Sequence, residues 1–205
     1  MEAVARIKDF RHGRVPRVVR ERQLAELGEE LFAERGYAKA SMDELARRAG
    51  VTKPVIYELF GSKEGLFRAC LEGLALRLAD AIADAARGAD EAAGAPDPEA
   101  RLRAGGLAFL RFAQENRVAY ELLYEGRFSD AAVNVRRRQA ALILELMREM
   151  APDDVEPREL EVAAHAVNSA YEGVAHWMWE HPESDVEELA DWTVELLLPG
   201  LRRFT

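Results

Sequence analysis

Residues 50–67 read GVTKPVIYELFGSKEGLF, and the fold turns on how they are parsed. Gly50 stands where a left-handed residue closes one helix, and Thr52 stands where a small polar residue opens the next. Pro54 falls in the first turn of that second helix, where a missing amide is tolerated. Just upstream, Ser41-Met42-Asp43-Glu44 matches a capping box, in which the hydroxyl accepts from the third residue's amide and the glutamate reaches back. Residues 41–60 therefore parse as two short helices joined by a tight turn, a helix-turn-helix.

The apolar residues of that unit, among them Met42, Leu45, Ala49, Ile56 and Phe60, face Leu27, Leu31 and Phe32 of a preceding helix and give it a core. Thr52, Lys53, Pro54, Tyr57 and Glu58 are left outward on the second short helix. A helix N-terminus offers unpaired amides and partial positive charge to a phosphate, and Thr52 and Lys53 stand there. Pro54 offers an apolar face to a thymine methyl, and the Tyr57 hydroxyl, one turn on, reaches a phosphate or base edge. Ser41 and Lys63, at the starts of the flanking helices, are placed to grip the backbone on either side. The expected DNA-binding residues are thus Ser41, Thr52, Lys53, Pro54, Tyr57 and Lys63. Helical hairpins with a glycine turn also occur in proteins that never meet nucleic acid, so spacing alone leaves both readings open.

Charge is distributed to match. Over 205 residues the net charge is -9, yet residues 1–70 carry 14 Lys and Arg against 11 Asp and Glu, a balance of +3, and the remainder carries −12. Such asymmetry suits a chain whose one end meets a polyanion. Arg6, Lys8, Arg11, Arg14, Arg17 and Arg20 form a basic arm that reads equally as a solvated tail or as an extra DNA contact. With 49% apolar and 32% charged residues the composition is that of a helical globular protein. The N-terminus lacks a signal-peptide core and no stretch is long enough to span a bilayer, so a cytoplasmic location is expected. Cys70 is the only cysteine, which excludes an internal disulfide and a thiolate metal cluster.

Apolar positions recur at three and four residues throughout, with no sustained alternation, so the expected fold class is all-α. Helices are expected at 15–35, 41–48, 52–60, 62–87, 98–116, 118–125, 129–150, 156–180 and 184–203, the last opened by a second capping box at Ser184. Loops are expected at 87–98 (RGADEAAGAPDP) and 151–157. A boundary near 61 divides an N-terminal domain, 1–61, from a helical domain, 62–205, with the helix from 62 belonging physically to both.

In the second domain, Ala163, Ala166, Ala170 and Gly173 form a small-residue face that invites close helix approach, and the last helix offers Leu189, Val194 and Leu197 among others. Two such helices from each of two subunits make a four-helix interface. Phe109, Phe112, Tyr120, Tyr124, Phe128 and Tyr171 are spread over helices that should converge, as core or as the wall of a ligand pocket. Glu161, His165, Asn168, Glu172 and His176 share one helix face, read as solvated, as a polar pocket wall or as metal ligands. The candidate ligand-binding set is the aromatic six with His165, Asn168 and Glu172. No G-x-G-x-x-G, P-loop, H-E-x-x-H or G-x-S-x-G occurs, so no catalytic residue, metal or cofactor is expected.

Residues 17–67 resemble the N-terminal domain of the TetR (tetracycline repressor) family: Gly36-Tyr37 after the first helix, the polar cap at Ser41, ELARRAGVTKPVIY, Phe60 and the Ser62-Lys63-Glu64 entry to the fourth helix. The resemblance implies an N-terminal three-helix DNA-binding domain followed by a helical ligand-binding and dimerisation domain. It implies a homodimer on double-stranded operator DNA, usually a repressor released by a small-molecule effector. The family's contact positions fall on the six residues named above. One departure is Leu59, preceded by Glu58, where members often carry His or Tyr. The competing expectation is a helical dimer acting through protein contacts or an enzymatic cavity, with DNA binding secondary.

Overall fold

The computed structural model describes residues 16–117, 120 and 130–204. The described helices are α1 (Arg17–Lys39), α2 (Met42–Ala49), α3 (Lys53–Phe60), α4 (Lys63–Ala93), α5 (Pro98–Glu115), α6 (Asp130–Arg148), α7 (Pro157–Glu180) and α8 (Val186–Leu201), closed by a 3-10 turn at Arg202–Phe204. Among the described residues there is no strand, as the all-α expectation requires. The helix expected at 118–125, the side chains of Tyr124 and Phe128, and the basic arm before Pro16 lie outside the described residues.

Two apolar cores meet along α4. In the first, Leu24 and Leu31 of α1, Leu45 of α2, Ile56 of α3 and Leu66 of α4 are at most 1% exposed. Each such side chain stabilises the unit by about 1.5–3 kcal/mol through removal from water. The second begins one turn later, where Leu71, Leu74 and Leu78 of α4 pack with Phe109, Leu110, Tyr171 and Trp179. α4 against α5 is the most extensive helix pairing. Arg103 and Arg111 of α5 tie α8 through Asp191 and Glu187.

Several local expectations change in the structure. α4 runs through Gly88 to Ala93 and stops only at Gly94 (φ 74), so the loop expected from 87 is confined to its last few residues. Gly88 in mid-helix costs about 1 kcal/mol relative to alanine, too little to end a helix held by its neighbours. Ser41 accepts from the Asp43 amide at 3.3 Å rather than from the third residue, and Glu44 turns to Arg48 instead of reaching back. At the other end Asp185, not Ser184, caps α8, accepting from the Glu187 and Glu188 amides at 2.8 and 3.3 Å. A carboxylate is the stronger acceptor at a helix N-terminus and takes the role. The small-residue face of α7 is split: Ala166 and Gly173 are exposed as expected, whereas Ala163, with Val167 and Met178 of α7 and Leu189 and Val194 of α8, lies in the subunit's own core. The outward apolar residues there are Val162, Trp177, Trp192 and Leu196.

Arg48 holds α1 to α2. Its guanidinium donates to Glu34 of α1 at 2.9 and 2.7 Å and to Glu44 of its own helix at 2.5 Å. These hydrogen bonds hold both carboxyls below the usual glutamate range. A lowered folded value means stabilisation that is complete above about pH 4–5 and lost as pH falls through the depressed values. Thermal unfolding should therefore show Arg48→Met less stable than the parent at pH 7, with the gap closing towards pH 3. A second outcome concerns Gly106, where an added Cβ would run into the Tyr171 hydroxyl, whereas at Gly105 it would meet Ile82 at 3.4 Å, an ordinary contact. Gly106→Ala should lose about 1–3 kcal/mol from overpacking despite better helix propensity. Gly105→Ala should be near neutral, and the two melting temperatures check the difference.

Candidate nucleic-acid interface and internal cavity

Gly50 (φ 66, ψ 30) reverses the chain between α2 and α3, and the Val51 amide returns to the Ala46 carbonyl at 3.0 Å. Only this left-handed geometry lets the chain enter α3 so soon after leaving α2, and glycine adopts it without strain. Thr52 opens α3 in an extended conformation, and its hydroxyl makes no capping bond. Thr52, Pro54 and Tyr57 are exposed and Lys53 is half-buried, while Ile56 of the same helix is 1% exposed. The outward and inward residues of α3 are thus separated as its sequence requires.

The two lysines are held rather than free. Lys53 Nζ donates to Asp43 at 2.9 Å, which raises its pKa through that hydrogen bond and the carboxylate's charge. Lys63 Nζ donates to the Ala38 carbonyl at 3.2 Å and sits 4.8 Å from the Tyr37 ring centroid. Tyr37 in turn packs on Phe32 and Phe67, at 5.7 and 4.9 Å. Ser41 is half-buried, its hydroxyl accepting from the Asp43 amide as described. The bonds of Lys53 to Asp43 and of Lys63 to Ala38, just past the Gly36 kink in α1, are the parts of this surface that the sequence did not signal. Asp43 lies ten residues from Lys53 and its partner shows only in three dimensions.

In the second core a cavity of about 90 Å³ is lined by residues of α4, α5, α6, α7 and α8. Of the expected ligand-binding residues, Phe109, Asn168 and Tyr171 line it. Tyr120 is buried behind the wall, edge-on to Phe109 at 5.8 Å, and Phe112 packs at the edge of the core. Glu172 stands behind Asn168, accepting from its amide nitrogen at 3.0 Å and from Arg136 at 3.2 Å. His165 is exposed and lies outside the cavity wall. The polar stripe of α7 is therefore split: Asn168 is buried, Glu172 half-buried, and Glu161, His165 and His176 face outward. The wall is more aliphatic than the aromatic residues suggested, with Ile143, Leu146 and Met147 of α6 and Met150 just beyond its end supplying one side. Their spacing of three and four residues was the signal available in the sequence. Burial pushes the Tyr171 hydroxyl well above its ordinary value, so it stays protonated and donates to the Leu102 carbonyl at 3.4 Å.

Residues 24–70 match the family described as "Bacterial regulatory proteins, tetR family", and residues 98–200 match "Tetracyclin repressor-like, C-terminal domain". The chain is 30% identical over 202 residues to the HTH-type transcriptional activator FasR of Mycolicibacterium smegmatis, which spans 93% of this chain and 87% of that protein. Over a shorter stretch, 81 residues, it is 31% identical to the HTH-type transcriptional regulator AlkX of Mycobacterium tuberculosis, covering 40% of this chain and 36% of that one. Among solved structures, a TetR-like transcriptional regulator from Rhodococcus sp. RHA1 superposes with a TM-score of 0.64 at 31% identity, over 92% of this chain and 98% of that one. PfmR of Thermus thermophilus, a TetR family transcriptional regulator, gives 0.59 at 25% identity over 88% and 100%. With a helix-turn-helix whose second helix turns its polar residues outward, and a helical second half enclosing a cavity, the chain belongs to the TetR family of DNA-binding transcriptional regulators.

Proposed function

We propose that the chain works in the cytoplasm as a homodimer that sets α3 of each subunit into successive major grooves of an operator, and that a small molecule in the cavity changes its hold on DNA. The observation that carries the reading is the exposure of Thr52, Pro54 and Tyr57 around the N-terminal turn of a helix whose apolar side is buried. The amides of that turn and the nearby Lys53 and Lys63 suit phosphates, and Tyr57 and Pro54 suit base edges. Ser41 completes the set from the start of α2. Dimerisation is supported by the groove between α7 and α8, where Val162, Ala166, Leu196 and Gly200 are exposed together. Exposed Trp177 and Trp192 lie on the same two helices. A single short reading helix contacts few base pairs, so pairing two across a dyad about 34–36 Å apart is what gives a specific site.

The division into a reading unit of residues 1–61 and a ligand-binding and dimerisation unit of 62–205 fits this scheme. α4 spans both: Leu66 closes the first core, and Ile82, further along, lines the cavity. Arg77 of α4 is also bonded to Glu29 of α1 at 2.6 and 2.8 Å. A ligand that favours one tilt of α4 changes the separation of the paired α3 helices. Coupling of about 1–3 kcal/mol suffices for a 5- to 150-fold change in DNA affinity. Release from an operator that blocks a promoter derepresses, whereas release from one that recruits polymerase does the opposite. Operator position thus fixes the sign, and a repressor released by its effector is the reading proposed here.

DNA selected from a random pool, followed by anisotropy titration, tests the surface. Lys53→Glu and Tyr57→Ala should each lose sequence-selective binding while the helical circular dichroism is kept, and retention of selectivity by both would show that α3 is not the reading helix. In sedimentation, Leu196→Glu should yield monomers that bind the selected site at least tenfold more weakly. A dimer that survives this change would place the interface elsewhere.

A further inference from the structure

The cavity presents three side chains with polar groups, and what each has left to offer fixes the chemistry of a guest. Arg101 is engaged by two carboxylates: its Nε donates to both Asp90 oxygens at 2.8 Å, and another of its nitrogens donates to Glu149 at 2.7 Å. Two carboxylates offset its charge, so it does not stand ready for an anion. Tyr171 has given its hydrogen to the Leu102 carbonyl, which leaves its oxygen as an acceptor. Asn168 is 4% exposed, and its amide nitrogen donates to Glu172. A carboxylate only accepts, so this bond fixes which end of the amide faces Glu172 and leaves the Asn168 oxygen for the cavity. Asn168 and Tyr171 thus keep acceptor oxygens, with one further amide hydrogen on Asn168, in a wall of aliphatic side chains.

A carboxylate or phosphate must shed its water for an aliphatic wall, beside a guanidinium whose charge Asp90 and Glu149 already offset. A hydrocarbon leaves the buried Asn168 oxygen without a partner, which has a cost of its own. A molecule with an apolar body and one hydroxyl or amide hydrogen satisfies both the wall and the acceptors. Size narrows it further, since one water-sized group needs about 10–15 Å³ of such space, so about 90 Å³ admits roughly six to nine non-hydrogen atoms. We propose that the ligand of this cavity is a neutral medium-chain aliphatic alcohol, or a close hydrogen-bond-donating equivalent, whose hydroxyl donates to Asn168. The inference rests on the reading of the chain as a ligand-responsive regulator and names the chemistry that reading leaves open.

Calorimetric titration of the full chain, without DNA, with 1-hexanol, 1-methoxypentane and sodium hexanoate tests it. The ether matches the alcohol in size and lacks only the donor, and the carboxylate adds charge. The alcohol should bind at least tenfold more tightly than either. In Asn168→Leu, checked for retained helicity, alcohol and ether should bind alike. Ether or hexanoate binding as well as the alcohol to the unaltered chain overturns the proposal, and so does failure of all three to bind. Because no DNA is present, these failures leave operator recognition untouched. Alcohol binding that leaves the affinity for selected DNA unchanged would instead remove the ligand-responsive reading and keep the assignment of the cavity.

Discussion

Gly28 has no side chain, and α1 rests on α4 closely enough there that an added Cβ would meet Cys70 Sγ at 3.1 Å and Leu66 at 3.2 Å. The same approach lets the Cys70 thiol donate to the Ala25 carbonyl at 3.2 Å and brings Arg77 within reach of Glu29. α4 is therefore part of the reading unit's core for its first two turns and part of the second core afterwards. A helix shared in this way cannot move in one unit without moving in the other, because both interiors are close-packed. The position of α3 inherits whatever α4 does, since Leu66 and Ile56 belong to one cluster.

The reading surface is organised by interactions that no linear pattern shows. Lys53 is steadied by Asp43, and Lys63 by a backbone carbonyl and an aromatic face. In the proposed contact with DNA, side chains held in advance would lose less entropy on binding. Each ammonium keeps other hydrogens that the proposed phosphate contact would use, since a lysine carries three donors and each is bonded here through one. Glu58, exposed beside them, contributes to the raised pKa of Arg17, so the anion on the groove side of α3 has a cation of α1 nearby.

What the sequence disclosed was local. Gly50, Thr52 and Pro54 are turn and cap residues whose conformations depend on their own chemistry, so the helix-turn-helix was legible, as was the helical content of α5 to α8. What it withheld depended on competition between neighbours. Asp185 displaced Ser184 as cap because a carboxylate accepts more strongly, and Gly88 failed to stop α4 because packing outweighs propensity. Facing was hardest to read: of the small-residue face of α7, Ala166 and Gly173 are exposed, but Ala163 and the flanking Val167 are interior, because they adjoin the apolar side that packs inward. The cavity was legible only as a gathering of residues. Its acceptor character rests on a bond between Asn168 and Glu172, which are one turn apart, and on a Tyr171 contact to another helix.

Cys70, which closes the joint between the two cores, has one more implication. It is 3% exposed, and burial pushes its thiol up to about 12. At neutral pH only about one molecule in 10⁵ would carry the thiolate, the species that peroxides and electrophiles attack. The chain's single sulfhydryl is thus deaf to oxidants for as long as α1 stays seated. On the proposed ligand-responsive reading, a signal would act by reversible fit rather than by covalent change at this thiol.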